Sequence, residues 1–96
     1  MNETSASDRA AADVPVYNCH VLIAPRDAEG WIVARASALP EVEGRGRSER
    51  EALANVVAAF KEAIVRSTAD GGQVSWAVPP LEPRPGDQER WIAVHL

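Results

Sequence analysis

Cysteines, lysines and long apolar runs are scarce in this sequence, and each shortage excludes a class of protein. The single cysteine, Cys19, cannot form a disulfide within the chain, which fits a reducing compartment. No apolar run approaches the roughly 20 residues that a membrane helix needs. The N-terminus also lacks the basic and then apolar pattern of a signal peptide. We therefore expect a small soluble protein of the cytoplasm.

Basic residues do not dominate the composition either. The chain carries a net charge of −4, and half of this lies in the first 14 residues, where three acidic residues accompany one arginine. The rest of the chain is close to neutral and has one lysine, so it lacks the basic surface of a general nucleic-acid binder. Its 96 residues enclose one hydrophobic core at most, and chains of this size often gain stability by forming oligomers.

What the sequence does contain is one long helical pattern, which follows a glycine-punctuated turn and continues to Arg66. Ser48 and Glu51 form a capping box, in which each side chain accepts a hydrogen bond from the backbone N–H of the other residue. Residues 70–72, Asp-Gly-Gly, mark the end, because glycine adopts the left-handed conformation past a last helical turn. The apolar positions recur at three- and four-residue steps, as one face of a helix requires: Leu53, Val56, Val57, Phe60 and Ile64.

Four stretches alternate from one side to the other as β-strands do, over residues 17–24, 31–36, 41–47 and 89–96. In the third stretch, Val42, Gly44 and Gly46 share one side. We expect this side to lie under the helix, because glycine permits close approach. Gly30 supplies a turn position in a hairpin loop over residues 25–30.

The remaining segments are irregular. Residues 1–14 are mostly small or polar and have no periodicity, which predicts a disordered tail that ends at Pro15. Residues 73–78 form a short extended piece in this interpretation, and residues 79–86 carry four prolines and form an irregular connection. The sequence therefore predicts a single α+β domain over residues 15–96, in the order βββαβ, with one helix packed on a mostly antiparallel sheet.

The first two strands are apolar or small on both sides, although one helix covers only one face of a sheet. Either Leu22 and Ala24 or Val21 and Ile23 must therefore face away from the helix. An uncovered apolar patch of this kind more often meets another chain than water. We expect the protein to form homo-oligomers, as a dimer or a tetramer.

Four short motifs follow one another in this order: E-G-W at residues 29–31, A-L-P at 38–40, G-R-S at 46–48 and E-A-L-x-N at 51–55. Together they resemble the HicB-like antitoxin domain, whose motifs read roughly E-G-G-Y/W, D-L-P-G-C, G-D-T and E-E-A-L-x-N. The resemblance covers residues 17–66 and implies a truncated ribonuclease-H-like βββαβ fold, in agreement with the predicted order of elements.

The resemblance implies binding rather than catalysis, with no enzyme activity, no cofactor and no metal. HicB proteins sequester a small RNA-cleaving toxin, HicA, by covering its active surface. Many also carry a C-terminal DNA-binding module, which has no counterpart before Leu96, so we expect no direct DNA binding by this chain. The open sheet face and strand edge are the expected docking surface, with four candidate partner-binding residues: Trp31, Arg35, Arg45 and Arg47. The alternative is a solitary HicB-fold homo-oligomeric module, regulatory or structural, with no toxin partner.

Three catalytic or ligand-binding alternatives have less support from the residues. A metal nuclease needs several converging carboxylates, but the predicted strands offer Glu43 and little else. A phosphate site at residues 44–48 lacks the P-loop pattern, and Glu49 and Glu51 already occupy the positive end of the helix. The hydroxyl of Ser48 is committed to the helix cap and is a poor nucleophile.

Two further groups of residues suggest a binding site, but each has a simpler explanation. Arginines 45, 47 and 50 with Trp31 or Trp76 suggest an RNA platform, but four glutamates interleave with them and favour a mixed solvated face. Cys19, His20 and His95 suggest zinc, but neighbouring strand residues point to opposite faces, which leaves too few ligands. Cys19 is better explained as a small buried side chain than as a reactive thiol.

Overall fold

The alternating stretches and the helical stretch form the elements that their patterns predict. The structure is a computed structural model, and it describes residues 16–96; the predicted tail over residues 1–14 lies outside the described residues. The elements are β1 (Val16–Ile23), β2 (Ile32–Ala36), β3 (Glu43–Gly46), α1 (Glu49–Thr68) and β4 (Gln88–His95). The α+β class and the order βββαβ are therefore confirmed, with strand ends that differ from the prediction by one or two residues.

The four strands form one antiparallel sheet in the order β3-β2-β1-β4, with α1 packed on one face. The strand β1 is central and pairs over its whole length with β4, where Cys19 lies opposite Ile92. The predicted extended piece at residues 73–78 is not a strand. Its backbone is held by the turn after β2 instead of by a sheet edge, since the N–H of Ala77 donates to the carbonyl of Ala38.

The ends of α1 follow the sequence signals, with one difference. Ser48 is the N-cap and its hydroxyl accepts from the N–H of Glu51, as predicted. The Glu51 carboxylate accepts from the N–H of Arg47 rather than from that of Ser48, so the predicted reciprocal bond of the capping box is wrong. The donor is thus one residue earlier than predicted, directly after the last residue of β3. At the other end, Gly71 has a φ of +77° and donates to the carbonyl of Thr68.

The core lies between α1 and one face of the sheet. The apolar side of the helix meets the small side of β3, where a Cβ on Gly44 would lie 2.2 Å from the backbone nitrogen of Val56. The prediction that glycines allow close approach at this point is therefore confirmed. The largest fully buried side chains on this face include Val21 of β1, Val94 of β4 and three residues of α1: Val56, Phe60 and Ile64.

The opposite face of the sheet is less open than the sequence predicts. The first of the two alternatives is correct, because Val21 and Ile23 belong to the core beneath α1 and Leu22 points away from it. Leu22 is nevertheless 0% exposed, so the prediction of an uncovered apolar patch at this position is wrong. Arg35 of β2 lies directly opposite Leu22 of β1. The connection before β4 returns along this side of the sheet, and its Asp87 forms an ion pair with Arg35. The cover comes from within the chain.

Within residues 16–96, no helix combines the length and the apolar character that crossing a membrane would require.

Candidate protein-binding site

Three of the four predicted partner-binding residues meet on the sheet face that α1 leaves open. In β2 and β3, Val33 lies opposite Arg45, and Ile32 lies opposite Gly46 on the helix side. Since successive side chains alternate, Trp31 just before β2 and Arg47 just after β3 lie on the same side as Arg45. Strand alternation and register therefore bring together residues that are up to 16 positions apart in the chain.

The contacts within this group are specific. The guanidinium carbon of Arg47 lies 4.0 Å from the ring centroid of Trp31, and that of Arg45 lies 4.8 Å from the same centroid. Both distances are within the range of a cation–π interaction, for which tryptophan is the best aromatic partner. We call Trp31, Arg45 and Arg47 the tryptophan–arginine cluster.

The hairpin before β2 fixes the position of this cluster. The Asp27 carboxylate accepts from the N–H groups of Glu29 and Trp31, which closes the loop that Gly30 enters with a φ of +91°. The guanidinium of Arg47 donates to the carbonyl of Glu29 at 2.6 Å and thereby links this hairpin to the end of β3. Because its hydrogen bonds hold it against the ring, Arg47 is a positioned part of the scaffold.

Arg45 differs from Arg47 in its hydrogen bonding. Its guanidinium donates no hydrogen bond and forms no ion pair within residues 16–96, and the residue is exposed. An arginine offers five N–H donors in a planar fork that matches carboxylates and phosphates. Within the cluster, Arg45 is thus the side chain that keeps its donors available to a partner, while Trp31 restrains its orientation.

Two of the four glutamates that interleave with these arginines in the sequence, Glu49 and Glu51, have other partners. Glu49 forms an ion pair with Arg90 at 2.9 Å, and Glu51 accepts from the backbone of Arg47. Among the described residues, none of the ion pairs involves Arg26, Arg45 or Arg47. The guanidinium groups of the cluster are therefore not neutralised by an ion pair with any of the described carboxylates, although the protein as a whole has a net charge of −4.

The fourth predicted residue, Arg35, does not join the cluster. It lies on the same face, but it is 8% exposed, and its guanidinium donates to the Asp87 carboxylate at 2.9 Å. The side chains of this pair are 10% and 2% exposed, and the same carboxylate also accepts from the N–H of Arg84. Arg35 therefore holds the returning connection on the sheet and is not accessible to a partner.

A group that sequence reasoning missed occupies the middle of the open face. The two ring nitrogens of His20 each have a partner at 2.8 Å, Ser37 Oγ at Nδ1 and Glu89 Oε1 at Nε2, and the ring stacks on Trp91 at 4.6 Å. The composition is that of an acid–base–nucleophile triad. Ser37 is only 1% exposed, however, so its hydroxyl is out of reach of a substrate. The three residues come from β1, the turn after β2, and β4, and no local sequence signal connects them.

The other sequence candidates are dispersed. Cys19 is 1% exposed beneath α1, and burial raises its pKa to about 11, as expected for a buried and unreactive thiol. His20 lies on the opposite face from Cys19, as predicted. Trp76 packs on Tyr17 and Phe60 on the helix side, far from Trp31, so the two tryptophans do not form one platform.

Carboxylates do approach one another at a second place. A shallow groove of about 260 Å³ between β3 and α1 is lined by Glu41, Glu43 and Glu62, together with Arg66. Across residues 16–96, no three His, Cys, Asp or Glu side chains are close enough to hold one metal ion. A metal-dependent reaction at Glu43 has no support from this arrangement.

A comparison of the chain with protein-family models, with curated proteins and with solved structures finds no match.

Proposed function

We propose that this protein is a HicB-like binding module, an antitoxin that sequesters a small HicA-like RNA-cleaving toxin. The motifs at residues 29–31, 38–40, 46–48 and 51–55 support the assignment, and so does the order βββαβ on an antiparallel sheet. The more specific, truncated ribonuclease-H-like form of the fold is part of this proposal.

One observation carries the proposal: the tryptophan–arginine cluster lies at the β2–β3 end of the sheet face opposite α1, with its arginines free of acidic partners from residues 16–96. Tryptophan and arginine are the residue types that most often dominate binding energy in protein interfaces. Because Trp31 and Arg47 already restrain each other, little side-chain entropy is lost on docking. The cluster fits a carboxylate or another exposed acceptor on the toxin, while the overall negative charge favours the approach of a basic protein.

The test is a search for a HicA-like reading frame beside the gene, followed by co-expression of its product with the chain. The toxin alone should arrest growth, and the wild-type chain should restore it. The double variant Trp31→Ala/Arg45→Ala should restore growth less well and should bind the purified toxin at least tenfold more weakly, since truncation of two interface anchors costs more than about 1.4 kcal/mol.

The matched control is Trp76→Ala/Arg66→Ala, which removes the same two residue types from the helix side of the molecule. Circular dichroism verifies that both double variants remain folded. If the cluster variant protects cells as well as wild type does, the cluster is not the docking surface. If the wild-type chain neither binds nor neutralises the toxin, the antitoxin proposal fails.

A second candidate is the solitary homo-oligomeric module without a toxin. The strand β4 favours it, because within residues 16–96 it is an edge strand of the sheet and its Trp91 side chain is 67% exposed. The absence of a HicA-like reading frame beside the gene, together with a discrete oligomer of the purified chain, would support this candidate over the first.

A further inference from the structure

We propose that two copies of this chain pair through the edge of β4 that no strand within residues 16–96 covers, as antiparallel strands about a two-fold axis at Ile92, to form a continuous eight-stranded sheet. The inference goes beyond the proposed toxin capture, because the tryptophan–arginine cluster lies on the β2–β3 side of the sheet. It also differs from the association predicted from the sequence, which placed the contact on the sheet face around Leu22.

The two edges of the sheet differ in how well they are protected. The strand β3 has four residues, and its outward side chains, Glu43 and Arg45, are charged. The strand β4 has eight residues, and its register with β1 continues without a bulge from Gln88 to His95. It contains neither proline nor lysine. Short length, charge, proline and bulges are the means by which edge strands avoid pairing, and β4 lacks most of them.

The hydrogen-bond pattern identifies which residues of β4 face the free edge. In β1, the N–H of Ala24 donates to Val33 and the carbonyl of His20 accepts from Ser37, so the even-numbered residues of β1 bond to β2. The backbone groups of the odd-numbered residues of β1 therefore point toward β4. Each odd-numbered residue of β1 lies opposite an even-numbered residue of β4, as Cys19 lies opposite Ile92. The N–H and C=O groups that point outward therefore belong to the odd-numbered residues: Glu89, Trp91, Ala93 and His95.

One register uses all four of these residues. When Ile92 lies on the two-fold axis, Glu89 lies opposite His95 of the second copy and Trp91 lies opposite Ala93 of the second copy. Each of these is a pair of outward-pointing residues, so each pair exchanges two backbone hydrogen bonds. A two-fold axis at Trp91 would instead leave His95 opposite residue 87, which is outside the strand.

The side chains are complementary in the same register. Glu89 meets a histidine, and the only other charged residue in β4, Arg90, lies opposite Val94 of the second copy, so like charges do not meet across the axis. The bulky Trp91 meets the small Ala93, and Ile92 packs against its own copy. The exposed side chains at this end of the sheet, Val16 at 52% and Leu96 at 36%, extend the apolar surface beside the interface.

The test uses the full chain and measures its mass in solution by sedimentation equilibrium. We expect wild type to approach twice the 10.3 kDa of the monomer as concentration rises. Ala93→Pro removes an outward N–H, which is the position where an edge strand tolerates proline, and should sediment as a monomer. Ala93→Thr keeps the N–H and strand propensity and should remain a dimer. A monomeric wild type at millimolar concentration, or a dimeric Ala93→Pro protein, would overturn the proposal.

A second measurement does not depend on the folding of the proline variant. In a Cys19→Ala background, Ile92→Cys places two thiols at the axis as a non-hydrogen-bonded pair, a spacing that a disulfide can bridge. Cys19 must be removed because it lies directly opposite residue 92 in β1 and would compete. Rapid formation of the disulfide-linked dimer is expected with Ile92→Cys and slow formation with Trp91→Cys. The reverse order would refute the register.

Failure of this inference is distinguishable from failure of the proposed function. If Ala93→Pro is monomeric and still neutralises the toxin, both proposals hold. If wild type is monomeric and neutralises the toxin, only the self-pairing of β4 is refuted. If wild type is dimeric and does not bind the toxin, only the antitoxin proposal is refuted.

Discussion

Replacement of Gly44 by alanine tests how closely α1 approaches the sheet. A Cβ at this position would lie 2.2 Å from the nitrogen of Val56 and 2.7 Å from the carbonyl oxygen of Ala52, and both atoms belong to the helix backbone. Backbone cannot rotate aside as a side chain can. To reach ordinary contact at 3.4 Å, the helix must move away from β3 by about 1.2 Å, the difference between the two distances.

Such a shift loosens the core on both sides of the contact. A gap of 0.5–1 Å between two packed atoms removes about a quarter to a half of their dispersion energy. Methyl groups added to a packed core typically lower the stability of the protein by about 1–3 kcal/mol. Because the clash is with backbone, we expect Gly44→Ala to lower the free energy of unfolding by roughly 3 kcal/mol, which is a large share of the ~5–14 kcal/mol expected for a domain of this size.

The matched control is Gly71→Ala, beyond the end of α1, where a Cβ would meet nothing within 4 Å. Both variants replace glycine by alanine and restrict the unfolded chain equally. Alanine at position 71 must adopt the positive φ of +77°, which lowers the stability of the folded state by about 1–2 kcal/mol. Urea unfolding followed by circular dichroism measures both variants. If Gly44→Ala destabilises no more than Gly71→Ala, the close approach of α1 to β3 is incorrect.

Two other perturbations have defined outcomes. Burial raises the pKa of Cys19 from 9.0 to about 11, so the folded protein retains the thiol proton at a pH where the unfolded chain releases it. This contribution to stability is fully present below pH 9 and is lost as the pH rises toward 11. Urea unfolding should therefore show wild type losing roughly 2 kcal/mol more than Cys19→Ala between these pH values, and parallel pH profiles would contradict the burial of the thiol. Asp87→Ala leaves the buried Arg35 without its partner and should cost about 3 kcal/mol in thermal or urea unfolding. The double variant Arg35→Met/Asp87→Ala should recover part of this loss, whereas strictly additive losses would show that the pair is not coupled.

Local signals in the sequence were sufficient to predict the elements of the fold. The steps from Leu53 to Ile64 predict the helix, and the N-cap at Ser48 follows from a hydroxyl that is placed to accept the free N–H of Glu51. The glycines of β3 indicate a close packing partner because nothing else explains two of them on one side of a strand. Each of these inferences depends on residues within one or two turns or strands of each other.

Features that depend on long-range pairing were predicted poorly. Arg35, which lies opposite Leu22 in the sheet, pairs with Asp87, 52 positions further along the chain, and nothing near residue 35 or 87 indicates that pairing. For the same reason Arg35 was assigned to the partner-binding surface and is in fact buried. The tryptophan–arginine cluster lies between these cases. Alternation gives the face of Trp31 and of Arg45 separately, and only the β2–β3 register shows that they meet.

The pairing of β1 with β4 also determines when this sheet can be completed during synthesis. These strands meet along their whole lengths, yet His20 and Glu89, which bond across them, are 69 positions apart. On the ribosome, β1, β2, β3 and α1 are all synthesised before residues 88–95. Until β4 is available, the edge of β1 that pairs with β4 has no partner strand. A nascent chain is therefore most vulnerable to misassociation with its neighbours just before its last strand becomes available.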